Sequence, residues 1–221
     1  MEAQAAHVME REVAIQSGRA ALSGSLSVPA GALGIVLFAH GSGSSRQSPR
    51  NIFVARALQD AGIATLLFDL LTREEEEVDV YSRQHRFDIS LLAERLVHAT
   101  HWIEAEAELR LLKVGYFGAS TGSAAALIAA AMLPELVGAV VSRGGRPDLA
   151  GLYLAKVTAP TLLIVGGNDG FVIELNERAY EDLRCEKALK IVPGASHLFE
   201  EPGTLESVAK LAASWFSRHL K

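Results

Sequence analysis

Val114-Gly115-Tyr116-Phe117-Gly118-Ala119-Ser120-Thr121-Gly122-Ser123, running on into an alanine-rich segment that ends at Met132, is the stretch that decides the fold. Val114–Phe117 is a short, continuous apolar run, the pattern of a strand buried on both faces. Ser123–Met132 reads as a helix of small residues able to pack close to a sheet. Between them, Gly118-Ala119-Ser120-Thr121-Gly122 has the G-x-S-x-G form of a nucleophile elbow, a sharp strand-to-helix turn that exposes the serine. The flanking glycines remove Cβ atoms that would clash in so tight a turn. The helix that follows points its positive end at the serine. Chance alone puts this pattern in roughly one chain of this length in fifteen, so the motif needs partners elsewhere.

Working outward, the same alternation recurs. Arg11–Gln16 and a stretch through Ala21, Leu22, Leu26 and Val28 predict an antiparallel start. Gly34–Ala39, Ile63–Phe68, Leu136–Ser142, Thr161–Val165 and Lys187–Val192 predict further strands. Helices are expected after Pro49 (carrying Phe53, Leu58 and Ala61), over Phe87–Glu104 with a stripe of Leu92, Leu96, Ala99 and Ile103, over Val172–Leu183, and over Leu205–Leu220 with Leu211, Trp215 and Leu220 inward. Glu74–Glu77 reads as a solvated loop. Strands alternating with helices imply an α/β fold, a mostly parallel sheet covered on both faces. A chain of 221 residues fits one such domain over 1–221, with 1–18 a tail and first edge strand.

Ligands bind at the carboxyl ends of such strands, and two residues there suit Ser120. Asp169 follows Thr161–Val165, and His197 follows Lys187–Val192. A serine hydroxyl is a poor nucleophile at neutral pH. His197 would take its proton and later return it to the leaving group, while Asp169 would orient the imidazole. Taken singly, Asp169 has an alternative as a turn or helix-capping residue, and His197 as a surface loop histidine. Their joint order, serine then acid then histidine, favours the catalytic reading. Asp148, in Arg146-Pro147-Asp148, is the reserve acid, although its surroundings look like a helix start. His7 and His219 are terminal and His85 borders a helix. His98 and His101 share a helix face without a third metal ligand.

Phe38-Ala39-His40-Gly41-Ser42-Gly43 follows the first buried strand. An N–H from this loop would join that of the residue after the nucleophile in an oxyanion hole, which assigns Ser42 and Thr121. The same stretch imitates a dinucleotide fingerprint, with Asp69 ending the next strand. Arg46 stands at the third glycine position, the loop runs on to Pro49, and two strands precede it, so a nucleotide is not expected.

With Ser120, Asp169, His197 and the His40-Gly41 loop assembled, residues 19–220 resemble the α/β-hydrolase superfamily. More narrowly, they resemble the small, nearly lidless dienelactone-hydrolase-like esterases. The resemblance implies hydrolysis of simple carboxylic esters through an acyl-enzyme on Ser120. Authentic dienelactone hydrolases use a cysteine nucleophile, and here the position holds serine. Cys185 lies before the last strand without an elbow around it and reads as a packed thiol.

Charge and composition exclude other classes. Net charge is −5 with no dense Lys/Arg stripe, which argues against nucleic acid and against an anionic membrane. Ala124–Val141 is apolar but carries Pro134 and Glu135, so it is read as helix, turn and strand. The first residues lack the basic start and apolar core of a signal peptide. One cysteine fits a reducing compartment. A cytoplasmic enzyme acting on a small ester is therefore expected, without cofactor or metal; a homo-oligomer is left open. The connection from Ser142 to Thr161 is short, so an open site for short-chain esters is predicted. His40, Arg46 and Arg143 are candidate substrate contacts, the arginines for a substrate carboxylate; ion pairs with nearby acids are the competing reading. Glu200 and Glu201 would raise the pKa of His197 if they pointed inward.

Overall fold

The computed structural model describes residues 8–221; His7 and the rest of the expected tail over 1–7 lie outside them. The strands are β1 (Val8–Ser17), β2 (Ala20–Pro29), β3 (Gly34–Ala39), β4 (Ala64–Phe68), β5 (Lys113–Ala119), β6 (Val137–Arg143), β7 (Thr161–Gly166) and β8 (Lys187–Val192). The helices are α1 (Pro49–Asp60), α2 (Arg73–Ser82), α3 (Ile89–Ala105), α4 (Thr121–Met132), α5 (Gly170–Asp182) and α6 (Thr204–His219). A kinked 3-10 helix spans Pro147–Lys156. The eight strands form one sheet in the order β1-β2-β4-β3-β5-β6-β7-β8. β1 and β2 pair antiparallel with each other, and β2 pairs antiparallel with β4; every other pairing is parallel. This is the α/β-hydrolase fold.

Burial explains the strand reading. β3, β4, β6 and β7 are buried along their whole length, which is why their sequences are mostly apolar instead of alternating. One face of the sheet packs on α3, α4, α5 and the 3-10 helix, and the other on α1 and α6. The stripe of Leu92, Leu96, Ala99 and Ile103 faces the first layer and is buried. α4 is buried along nearly its whole length, and only small residues let a helix approach the sheet so closely.

Three local expectations are corrected. Phe53 does not enter the core; it is 41% exposed, and α1 instead buries Asn51, Val54, Ala55 and Leu58. α6 buries Val208, Ala212 and Phe216, and Leu220 just beyond it is buried too, with Leu211 and Trp215 packed at the margin. Glu74–Glu77 belong to a helix, not a loop. Thr72 caps it by accepting from the Glu75 N–H, and the Glu75 carboxylate accepts from the Thr72 N–H at 2.8 Å. This reciprocal capping box satisfies two donors, and the acidic first turn complements the helix dipole.

α2 is fastened at its other end by Asp79, a buried carboxylate that accepts from the N–H groups of His85 and Arg86 and from the Arg86 guanidinium. Burial raises its pKa, but the combined hydrogen bonds from Arg86 and His85 outweigh that, and the net shift is downward. A carboxylate with a lowered folded pKa stabilises the fold above its unfolded value, and that stabilisation disappears as pH falls through the folded value. Asp79→Ala should therefore cost about 3 kcal/mol at neutral pH, since it leaves Arg86 without its partner. It should also flatten the acid limb of the stability curve, measured by urea unfolding at neutral and acid pH.

Candidate active site

Ser120 sits immediately after β5, at the amino end of α4, with φ 50° and ψ −121°. A residue with a Cβ adopts this conformation only at a cost of about 1–3 kcal/mol. The surroundings hold it there. The Ser120 N–H donates to the Arg143 carbonyl at 3.3 Å, and the Ser120 carbonyl accepts from the Ser123 and Arg146 N–H groups at 3.1 and 3.0 Å. The glycines of the elbow are required by space. A Cβ on Gly118 would lie 2.5 Å from Ser123 Cα, and one on Gly122 would lie 2.2 Å from the Ala39 carbonyl oxygen. Both obstacles are backbone. Gly122→Ala should cost about 3 kcal/mol of stability in a denaturant titration, because β3 must move to admit the methyl group.

Asp169 and His197 arrive on separate loops stitched to one another. Gly167 N–H donates to Val192 O at 2.8 Å, Asn168 N–H to Ala195 O at 2.9 Å, and Asn168 Nδ2 to Gly194 O at 2.9 Å. Across this seam His197 Nδ1 and Asp169 Oδ2 are 2.6 Å apart. An ionised carboxylate only accepts, so Nδ1 carries the hydrogen and Nε2 is left as the basic nitrogen. Asp169 occupies the N-cap position of α5, but its side chain makes no capping bond; it is directed to His197. Asp148 does not compete, because both its oxygens are taken by Arg146 at 2.8 and 2.7 Å.

Ser120 and His197 line one cavity of about 230 Å³, together with Ser42, Arg50, Arg143 and Leu198. Ser42 and Thr121 are also adjacent, but with a difference from the expected oxyanion hole. The Ser42 N–H donates to Thr121 Oγ1 at 3.1 Å, and the two hydroxyls are 2.9 Å apart. In this conformation the N–H at 42 is engaged by the neighbouring hydroxyl.

The remaining candidates divide. His40 is buried and uses both ring nitrogens: Nδ1 donates to Gly41 O at 3.1 Å and Nε2 accepts from the Leu70 N–H at 3.0 Å. Burial lowers its pKa against the opposing pull of Gly41 O and Asp69, so it is a neutral tie between the ends of β3 and β4. Arg46 is held by Asp69 at 2.7 Å and Glu12 at 3.3 Å and does not line the Ser120 cavity; the ion-pair reading applies. This also occupies the Asp69 carboxylate that imitated a ribose ligand. Arg143 is in the cavity. Glu201 accepts from the Ser196 N–H and Glu200 pairs with Arg50, so the hydrogen bonds and ion pairs of both carboxylates go to other groups than His197. His98 bonds Ser17 and His101 bonds Glu104, and among the described residues no cluster of metal-ligating side chains occurs. Sequence reading missed Arg50 and Asn51. Their only signal was Pro49, which marked a helix start next to the His40–Gly43 loop.

A model of the dienelactone hydrolase family matches residues 22–220. This chain belongs to the dienelactone hydrolase family. It is 61% identical to a crystal structure of dienelactone hydrolase from Anabaena variabilis, with a TM-score of 0.96 over 97% of this chain and 99% of that one. Est1E from Butyrivibrio proteoclasticus shares the fold at 15% identity, with a TM-score of 0.78 over 94% of this chain and 98% of that one. A putative phosphoribosyl transferase of Mycobacterium tuberculosis is 58% identical over 211 residues, which are 96% of this chain and 47% of that protein. The chain thus spans about half the length of that curated relative. Among the described residues, no helix of this family member is long and apolar enough to cross a membrane.

Proposed function

We propose that this chain hydrolyses small carboxylic esters through an acyl-enzyme on Ser120. The observation that carries the reading is the strained Ser120 sharing a cavity with His197, whose Nδ1 is fixed by Asp169. His197 Nε2 takes the hydroxyl proton as Oγ attacks the ester carbonyl, then delivers it to the departing alkoxide. Water, deprotonated by the same nitrogen, releases the acid and restores the serine. Asp169 stabilises the imidazolium formed in both halves. The Thr121 N–H, at the positive end of α4, receives the oxyanion. The Ser42 N–H joins it once the Thr121 hydroxyl turns aside.

The cavity, near 230 Å³, is smaller than the roughly 300 Å³ at which ligand pockets usually begin, which favours short acyl chains. A fluorophosphonate probe tests the nucleophile: one label per chain, on Ser120, is expected, and a folded protein that takes none contradicts the proposal. p-Nitrophenyl esters of increasing chain length test the size limit, with acetate and butyrate preferred over octanoate. Acyl transfer is the same chemistry with another nucleophile in place of water, and added alcohol would raise the ester product if it operates.

The name of the Mycobacterium tuberculosis relative supplies a second reading, phosphoribosyl transfer. That name describes a protein of which this chain covers 47%. Turnover of phosphoribosyl pyrophosphate by the isolated chain would support it, and labelling of Ser120 without such turnover favours ester hydrolysis.

A further inference from the structure

Arg143 stands at the end of β6, beside the elbow, and is 7% exposed. Its surroundings do not neutralise it. One terminal nitrogen donates to Asn51 Oδ1 at 3.3 Å, a neutral acceptor, and the guanidinium lies 5.9 Å from the Phe199 ring centre. Its Nε is buried without a partner among the described residues. A buried cation is ordinarily paired with an acid.

Arg50, in the first turn of α1, lines the same cavity, and its Nε is likewise buried without a partner. The acid near it, Glu200, is 65% exposed and reaches it at 3.5 Å, so it offsets the charge only at the outer edge. The amino end of α1 adds positive potential. No acidic residue sits in its first turn, and the Ser48 hydroxyl takes up only the Asn51 N–H. Burial first, and the charge of Arg50 second, push the pKa of Arg143 down to about 10, as expected of a guanidinium taken out of water beside another cation.

We infer that Arg143, Arg50 and the first turn of α1 form a phosphate subsite within the Ser120 cavity, so that the substrate is a small ester carrying a phosphate group. This rests on the ester-hydrolase reading only for what the phosphate is attached to; the subsite itself is independent of it. Two guanidiniums and a helix amino end, drawn from two elements, match a dianion with oxygens in several directions better than a single planar carboxylate.

The test is calorimetric titration of the intact chain with inorganic phosphate at fixed ionic strength, with acetate as the comparison anion. One saturable phosphate site is expected, with acetate at least tenfold weaker. Arg143→Met and Arg50→Met should each weaken phosphate at least tenfold. Phosphate should also slow fluorophosphonate labelling of Ser120, which places the site in that cavity. Circular dichroism checks folding; should Arg143→Met fail to fold, Arg50→Met decides, since Arg50 reaches the surface. Absence of saturable binding, binding unchanged in the folded variants, or acetate equal to phosphate overturns the subsite. Labelling without phosphate binding overturns the subsite alone. Phosphate binding without labelling overturns the nucleophile alone.

Discussion

Ser120→Ala should lower ester turnover about 10⁶-fold, by analogy with loss of the nucleophile in other serine enzymes, and should abolish fluorophosphonate labelling while the fold persists. The rate falls because the acyl-enzyme requires Oγ, and water bound in its place meets neither the geometry nor the base as well. The fold persists because the elbow is held by main-chain bonds to Arg143, Ser123 and Arg146, none of which uses the hydroxyl. Ser120→Gly makes a second, opposite-signed measurement. It is equally inactive, but glycine adopts φ 50° freely, so it should gain about 1 kcal/mol of stability. Kinetics with p-nitrophenyl acetate and urea unfolding check the two effects. An alanine variant within tenfold of the native rate would remove Ser120 from the mechanism.

The elbow could be read from sequence because its constraints are local. A buried strand, two glycines barred by backbone from carrying a Cβ, and a helix of small residues must each leave a mark in adjacent positions. The central parallel strands β3, β4, β6 and β7 were legible for a related reason: burial on both faces leaves little polar alternation. α2 was equally local. Its capping box stands in Thr72-Arg73-Glu74-Glu75, but the run of glutamates reads as solvent-facing charge until the first-turn dipole is weighed. Phe53 misled because its position on α1 depends on which face α6 covers, a tertiary fact. Arg143 was visible only as an arginine after a strand. Its lack of an acidic partner among the described residues depends on the placement of Asn51, Phe199 and Glu200, which come from distant segments. Arg46 had the same sequence credentials and the opposite outcome, since Asp69 happens to end the neighbouring strand. Charge pairing across long separations is what a single sequence does not record.

Asp169→Asn should cost about 10⁴ in turnover, as in other triads, whereas Asp148→Asn should leave the rate within about threefold of native. The asymmetry follows from where each carboxylate is used. Asp169 bonds His197 Nδ1 at 2.6 Å. An asparagine can present its NH₂ there instead, and the imidazole then shifts its hydrogen to Nε2 to accept it. That tautomer cannot deprotonate Ser120, and the imidazolium formed in the transition state loses its counter-charge. Stability should change little, because the side chain caps no helix and the loop is held by main-chain bonds to Gly166, Val192 and Ala195. Asp148 by contrast is spent on Arg146 two residues away, a half-exposed pair worth at most about 1 kcal/mol. A crippled Asp148→Asn beside an active Asp169→Asn would transfer the role of acid from one loop to the other. Comparable losses in both would mean that the 3-10 helix carrying Asp148 shapes the cavity, and labelling rates at Ser120 would separate a misplaced serine from an unassisted one.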